Sequence, residues 1–175
     1  MDEKFKQLAA LGAADFAHIN GSLIDHLKGT KDLLCSWSAS KVLQDAGLYH
    51  AAYGTAGFEA QMVSANQREK IAKTIGSQAE EIVYQYCACD RDYFWPQLGL
   101  VEYPKFRNRF TLQTYQLELQ AVKDFCELTA ANELEIAMGN ADFITQYGSG
   151  LFKSFTNMAS LLSPSANSAV TRVLG

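Results

Sequence analysis

Apolar residues recur every three or four positions along most of this chain, a spacing that predicts amphipathic helices. One such stretch runs from about Leu23 to Trp37, directly after Ser22, which is a favoured helix N-cap. The pattern predicts an all-α bundle of about six or seven helices. The predicted helices cover about 3–14, 23–37, 39–53, 67–75, 77–89, 114–139 and 151–162.

Polar residues at helix starts support these boundaries. Asp2, Ser38 and Asn66 each precede a predicted helix and can accept a backbone N–H of its first turn. Ser77-Gln78-Ala79-Glu80 has the S-x-x-E spacing of a capping box, which accounts for Glu80. These signals fix where the helices of the bundle should begin.

Helical spacing disappears before the longest helix. Leu98–Tyr103 and Arg109–Leu112, on either side of Pro104, could pair as a short β-hairpin near 98–112. A structured loop would explain the same residues. After Pro164 we expect a frayed tail over about 165–175.

Length and charge limit the class of protein. The chain of 175 residues shows no linker or repeat, which predicts a single domain over 1–175. A net charge of -4 argues against nucleic-acid binding, which normally needs a basic face. We find neither a membrane-spanning apolar run nor a signal peptide, so we expect a cytoplasmic protein without a membrane partner.

The three histidines are the main candidates for chemistry. His26 and His50 each fall on an apolar face of a predicted helix, and His18 comes eight residues before His26. Three imidazoles can hold one transition metal (Zn, Fe or Mn) and leave a position open for substrate. A hydrogen-bonded core histidine is the competing interpretation at each position, and then no cofactor is bound.

The helix bearing His26, followed by one ending Ala46-Gly47-Leu48-Tyr49-His50, resembles the HD-domain superfamily of metal-dependent phosphohydrolases. The likeness is strongest to the branch that hydrolyses guanosine polyphosphates, and it covers roughly His18 to Glu135. When His18, the turn 50–55 and the segment 131–135 are included in the comparison, the chain is more similar still to an uncharacterised HD-like family of bacteria and fungi. The resemblance implies an HD-like helical bundle, and the uncharacterised family supplies no reaction.

The chain departs from the phosphohydrolase pattern at its metal site. Ala51 stands where that family has the aspartate of its His-Asp doublet. Asn132 stands where a later helix of that family supplies a further aspartate. Tyr53-Gly54-Thr55 occupies the place of an acidic pair. Hard divalent ions prefer anionic oxygen ligands, so these losses argue against the family's own mechanism.

Other polar residues could complete a site. We assign Glu81 and Arg91 as candidate catalytic groups, since Glu81 has no capping role and a guanidinium suits phosphate or carboxylate. Asp90-Arg91 follows the end of a predicted helix and could equally be an ion pair or a loop anchor. The candidate ligand-binding residues are Tyr53, Thr55, Asn132 and Glu135.

These residues allow several functions. The first is a metal-dependent hydrolase of a small phosphorylated or carboxylated metabolite. The alternatives are a metal-free pseudo-enzyme that binds a small ligand or a protein partner, and an iron-dependent oxygenase. A structural domain that forms homo-oligomers through the apolar segment 151–162 is a further possibility.

Overall fold

The predicted helical periodicity is realised along most of the chain. A computed structural model describes residues 3–175, and it confirms the all-α class. Within these residues, no helix is both long enough and apolar enough to span a bilayer. The described α-helices are α1 Glu3–Ala10, α2 Leu23–Ser36, α3 Lys41–Tyr49, α4 Arg68–Ile75, α5 Ser77–Ala88, α6 Arg91–Phe94, α7 Leu119–Gly139, α8 Ala141–Asn157 and α9 Pro164–Leu174.

Two short antiparallel sheets accompany the helices. Strand β1 (Ala17–His18) pairs with β2 (Gly21–Ser22), and β3 (Lys105–Arg107) pairs with β4 (Thr114–Gln116). The chain divides into two compact units, which we call unit 1 (up to Ala88) and unit 2 (Cys89–Gly175). A single domain over the whole chain stays a prediction.

Unit 1 is built around α2 and α3, and α3 packs in turn against α5. Ser22 caps α2 as predicted, because its hydroxyl accepts the backbone N–H of Asp25. Lys4 of α1 forms an ion pair with the buried carboxylate of Asp45 on α3. The buried leucines of α2 are Leu23, Leu27 and Leu34.

Unit 2 is built around α7, which packs against α8 and α9. Phe94, at the end of α6, meets Phe106 of β3 and Phe125 of α7 edge-on, with ring centroids 5.2 Å apart in both pairs. The aromatic cluster therefore joins the β3–β4 hairpin to the central helix of this unit.

Helix starts differ from the prediction where the backbone is constrained locally. Ser40 caps α3 by accepting the Leu43 N–H, whereas the predicted cap Ser38 has φ 59° and lies outside the helix. Gln67 precedes α4 in place of Asn66, and its side chain makes no capping hydrogen bond. The predicted cap Asp2 falls outside the described residues.

The β-hairpin exists, but its strands lie later in the chain than 98–103 and 109–112. The segment 108–113 is the turn of the hairpin, since Asn108 Oδ1 accepts the backbone N–H groups of Phe110 and Thr111. Because Thr114 belongs to β4, α7 begins at Leu119 rather than near residue 114.

The prediction of a frayed tail over 165–175 was wrong. Pro164 occupies the first turn of α9 instead of ending a helix, and Ser163 caps that turn through the Ala166 N–H. The segment 151–162, predicted as one helix, is divided between α8 and a 3-10 turn at Ala159–Leu161.

Candidate functional site

His26 and His50 are carried into the interior of unit 1 by adjacent helices. They are only 3% and 2% exposed. His26 lies in the first turns of α2, where the Thr30 hydroxyl donates to its carbonyl oxygen. His50 is the C-cap that follows α3, and its carbonyl oxygen accepts a hydrogen bond from the Cys87 thiol of α5 at 3.1 Å. Both imidazoles therefore sit on rigid backbone.

The two rings meet through their nitrogens. Nε2 of His26 lies 3.3 Å from Nε2 of His50, and Nδ1 of His50 lies 2.7 Å from the carbonyl oxygen of Gly47. A carbonyl oxygen can only accept, so Nδ1 of His50 carries the hydrogen. Nε2 of a neutral His50 then presents a lone pair toward His26.

His18 reaches the same cluster from a different element. Its strand β1 pairs with β2 through His18↔Gly21, which folds the chain back just before α2. The His18 ring stacks on His26, with centroids 4.0 Å apart and planes inclined by 12°. Phe58 lies 6.0 Å from the His18 ring on a tilted plane. The structure thus brings together the three histidines of unit 1.

The spacing of two of the three histidines is compatible with a shared metal ion. Two nitrogens bound tetrahedrally to one ion at about 2.0–2.1 Å lie about 3.3 Å apart, and the His26–His50 separation is 3.3 Å. The hydrogen bond from His50 to Gly47 is the usual support of a ligating imidazole.

His18 does not fit the same ion in this orientation. An imidazole lone pair lies in the ring plane, and the nearly parallel planes of His18 and His26 do not meet near a common point. Within residues 3–175, no group of three or more His, Cys, Asp or Glu side chains is arranged to hold a metal. In this arrangement only His26 and His50 have nitrogens spaced as two ligands of one ion would be, and His18 lies beside them.

Tyr53 and Thr55 follow His50 in a buried turn. The Tyr53 hydroxyl donates to Glu80 Oε1 at 2.7 Å, and burial, together with this hydrogen bond, raises the pKa of the phenol above its usual range. Thr55 pairs with Phe58 through backbone hydrogen bonds. Both predicted ligand-binding residues therefore hold the turn in place, and the Tyr53 hydroxyl is already bound to the protein.

Glu80 and Glu81 share one cation that the sequence did not reveal. Arg68 donates to both oxygens of Glu80, at 2.7 and 2.6 Å, and to Glu81 Oε2 at 2.6 Å. Its guanidinium also lies over the Tyr84 ring, 3.9 Å from the centroid. Glu80 is buried in an ion pair, which corrects its interpretation as a capping-box residue. The candidate catalytic Glu81 is exposed and bound to Arg68.

The remaining candidates lie in unit 2. Arg91, in the first turn of α6, places Nη1 3.6 Å from Glu133 Oε1. This ion pair has a different partner from the Asp90-Arg91 pair that the sequence left open, and Asp90 pairs with Arg107 instead. Asn132 is buried on α7 and donates to the same carboxylate oxygen at 3.0 Å. Glu135 is half-buried on α7. Glu133 was missed because a charged residue beside Asn132 on a helix gives no local sign of its distant partner.

One family model matches the chain. It describes a domain of unknown function, DUF6817, and it covers residues 7–91, just under half of the sequence. Comparisons with curated proteins and with solved structures find no match. The matched range contains all three histidines and ends at Arg91. The resemblance to HD domains stays a prediction.

Proposed function

We propose that the histidine cluster of unit 1 (His18, His26 and His50) binds a divalent transition metal, Zn, Fe or Mn. On this proposal the protein is a hydrolase of a small phosphorylated or carboxylated metabolite and acts in the cytoplasm. The observation that carries the proposal is the 3.3 Å separation of the two Nε2 atoms, with His50 fixed by Gly47.

The donor set favours some metals over others. Imidazole nitrogen suits zinc and iron, whereas manganese and magnesium prefer carboxylate oxygen. Ala51 supplies no carboxylate beside His50, so zinc or iron fits this chain better than the hard ions. A bound ion of this kind lowers the pKa of a water ligand and so provides a nucleophile for hydrolysis.

The chain's own residues have separate tasks in this proposal. The Gly47 carbonyl keeps the hydrogen of His50 on Nδ1, so that Nε2 carries the lone pair that a metal ligand needs. His26 approaches from α2, and the capped start of that helix fixes its position. His18 lies on a two-residue strand and is only half-buried, so a turn of its ring is the movement needed to add a third nitrogen.

Elemental analysis of protein purified without chelators tests the proposal. We expect about one equivalent of metal in the natural chain and less than a tenth of that in His26→Ala and in His50→Ala. Leu27→Ala is the matched control, because it removes a buried side chain next to His26 without removing a nitrogen. Metal-poor natural protein, or a His26→Ala variant that keeps its metal, would overturn the metal site.

Hydrolysis is tested separately on the metal-loaded chain. We expect release of phosphate or carboxylate from a panel of small esters, lost in His50→Ala and kept in folded Leu27→Ala. A stoichiometric metal without any such turnover would contradict the hydrolase. Iron as the metal, with oxygen consumption in place of hydrolysis, would support the oxygenase alternative.

A metal-free pocket is the second candidate, and the stacking of His18 on His26 favours it. In this case His26 donates from Nε2 to the lone pair of His50, and the cluster binds a small ligand or a protein partner. His50→Ala would then change thermal stability or ligand affinity while the metal content of the natural protein stays near zero.

A further inference from the structure

The β3–β4 hairpin of unit 2 has one covered edge and one open edge. On the outer side of β3, Gln97 Oε1 accepts the Lys105 N–H at 2.9 Å, and Gln97 Nε2 donates to the Lys105 carbonyl at 3.0 Å. Two residues further along β3, the Arg107 carbonyl accepts the Asp90 N–H at 3.0 Å. The outer edge of β3 is therefore covered by Gln97 and by the residue before α6.

The outer edge of β4 is open. Backbone groups in an antiparallel pair of strands point alternately toward the partner strand and away from it. Lys105 and Arg107 point away from β4, so the residues opposite them, Gln116 and Thr114, point away from β3. Within residues 3–175, no hydrogen bond reaches the backbone of Thr114 or Gln116 from that side. All of β4 is exposed, so these N–H and carbonyl groups face solvent.

The segment that carries the open edge lacks the features that normally protect one. Exposed edge strands usually carry lysine, proline or a bulge, each of which hinders pairing with a further strand. Residues 111–117 contain no charged residue and no proline. Two exposed leucines flank β4, since Leu112 is 78% exposed and Leu119 is 61% exposed. The edge is therefore suited to pairing with another strand.

Leu112 is held in a backbone conformation that leucine disfavours. Its φ of 61° lies in the left-handed region, which glycine and asparagine adopt at lower cost. Its N–H donates to the Asn108 carbonyl at 2.7 Å and so closes the turn of the hairpin. Because the side chain is exposed, packing within the chain offsets little of this strain. A contact with another molecule would account for a leucine at this position.

A second copy of the same strand matches this edge. Antiparallel pairing about a two-fold axis at Tyr115 would place Thr114 opposite Gln116 of the other copy, where each pair exchanges two hydrogen bonds. The same reversal of direction brings Leu112 toward Leu119 of the other copy, so that the exposed leucines cover each other. A segment without charges also meets itself without repulsion between like charges.

We propose that the β4 edge is a homodimer interface, in which the hairpins of two copies form one four-stranded antiparallel sheet. The assembly closes at two copies, because each hairpin contributes its open edge and keeps its covered edge outside. A three-residue strand with two flanking leucines gives a small interface, so we expect a dissociation constant on the order of 100 μM. The interface does not depend on the metal proposed in unit 1.

Sedimentation equilibrium of the full chain over about 5–500 μM tests the dimer, since association follows mass action. We expect mostly monomer at the lowest concentration, mostly dimer at the highest, and no larger species. A chain that remains monomeric at the highest concentration would overturn the proposal. Open-ended polymers would overturn it too, because two closed edges cannot add a third copy.

NMR of the labelled chain at increasing concentration locates the surface. The backbone amide signals of Thr114 and Gln116 should shift saturably as the dimer forms. The Lys105 amide is the internal control, because it already donates to Gln97 on the covered edge and should not move. Self-association that leaves the Thr114 and Gln116 signals unchanged would contradict pairing through β4.

Two variants distinguish the interface from an effect on folding. Gln116→Pro removes an N–H that the hairpin does not use, which an edge strand tolerates, and should weaken the dimer about tenfold. Leu112→Asn relieves the left-handed strain, so the thermal stability of the monomer should stay the same or rise. Its dimer should also weaken about tenfold. Leu100→Asn, at a 65% exposed leucine in the loop before β3, is the matched control and should keep the affinity.

Leu112→Asn decides the question by itself if Gln116→Pro does not fold. A folded Leu112→Asn chain that dimerises as tightly as the natural chain would overturn the proposal, because the association would then use another surface. Metal content is measured on the same samples. Loss of metal with dimerisation intact would count only against the proposed hydrolase.

Discussion

The Glu80 carboxylate is held by three hydrogen bonds from two side chains, all within unit 1. Tyr53 donates one and Arg68 donates two, at 2.6–2.7 Å. The hydrogen bond to Glu80, assisted by the one to Glu81, raises the pKa of Arg68 above its usual range. The turn that follows His50 is therefore tied to α4 and α5 by a buried charge rather than by apolar packing alone.

Removing the Arg68 guanidinium should lower the free energy of unfolding more than removing the Tyr53 hydroxyl. Arg68→Gln leaves Glu80 buried without its counter-charge, which we expect to lower the free energy of unfolding by about 2–4 kcal/mol. Tyr53→Phe removes one hydrogen bond to a charged acceptor and should cost about 1–2 kcal/mol. Urea unfolding followed by circular dichroism measures both.

Two exposed positions provide the matched controls for this pair. Arg172→Gln and Tyr103→Phe make the same chemical changes at exposed sites, and each should change stability by less than about 0.5 kcal/mol. A Tyr53→Phe variant that loses as much stability as Arg68→Gln would show that the carboxylate depends on the phenol rather than on the guanidinium.

At the scale of elements, α9 depends on a carboxylate from another helix. Both oxygens of the buried Glu127 on α7 are used at the start of α9, where they accept the Ser163 N–H at 2.9 Å and the Ser163 hydroxyl at 2.5 Å. A negative charge at a helix N-terminus is favourable, because the free N–H groups there carry partial positive charge. This contact anchors the last helix to the central one in unit 2.

Glu127→Ala should loosen α9 before the rest of unit 2. The variant leaves the Ser163 donors without their acceptor, and we expect a loss of about 1–3 kcal/mol. Hydrogen exchange followed by mass spectrometry should show faster exchange over 164–174 than over α7. Glu102→Ala, at an exposed loop position, is the control and should exchange like the natural chain. Equal acceleration in α7 and α9 would contradict a local anchor.

Much of the helical scaffold could be predicted from local spacing. The start of α2 and its cap at Ser22 follow from the apolar period and one hydroxyl, both of which act within a few residues. The errors arose where distant residues decide. Thr114 joins a strand because it pairs with Arg107, and α9 holds its first turn because Glu127 lies 36 residues away from Ser163.

In the candidate site, too, the features with a local signal could be predicted, and those that depend on distant residues could not. His26 and His50 stood out because polar rings on apolar helix faces are visible in the sequence, and His18 stood out because it comes eight residues before His26. Arg68 did not stand out because it lies in a polar segment, and Glu133 did not stand out because it lies beside Asn132. In neither case does the local sequence indicate the partner of the charge. Arg68 lies 12 residues before Glu80, and Arg91 lies 42 residues before Glu133, so only folding brings each pair together.

Considered as a whole, the molecule keeps three of its four thiols away from solvent. Cys35 is exposed, whereas Cys87, Cys89 and Cys126 are buried and free. Burial raises the pKa of the Cys126 thiol to about 12, and it raises the pKa of Cys89 still further. Only the thiolate reacts with a disulfide reagent. At pH 8 we therefore expect native protein to release about one equivalent of thiol from such a reagent per chain, and unfolded protein about four.

The buried thiols should also make the folded state sensitive to alkali. In the unfolded chain a thiol loses its proton near pH 9, whereas Cys126 keeps its proton in the folded state until about pH 12. The unfolded state thus binds fewer protons across this window, so the stability that is complete below pH 9 falls as the pH rises. From pH 9 to 10.5, Cys126 alone should lower the free energy of unfolding by about 2 kcal/mol.

Urea unfolding at pH 8 and pH 10.5, under reducing conditions, measures this loss. Cys126→Ala should be less stable than the natural chain at pH 8, because it leaves a small cavity, but it should lose about 2 kcal/mol less on going to pH 10.5. Cys35→Ala should keep the full loss, since its thiol is exposed in the native state. If Cys126→Ala loses as much free energy of unfolding as the natural chain between pH 8 and pH 10.5, the Cys126 thiol ionises equally in both states. The alkaline sensitivity would then have to come from Tyr53 and Cys89, whose pKa values burial also raises.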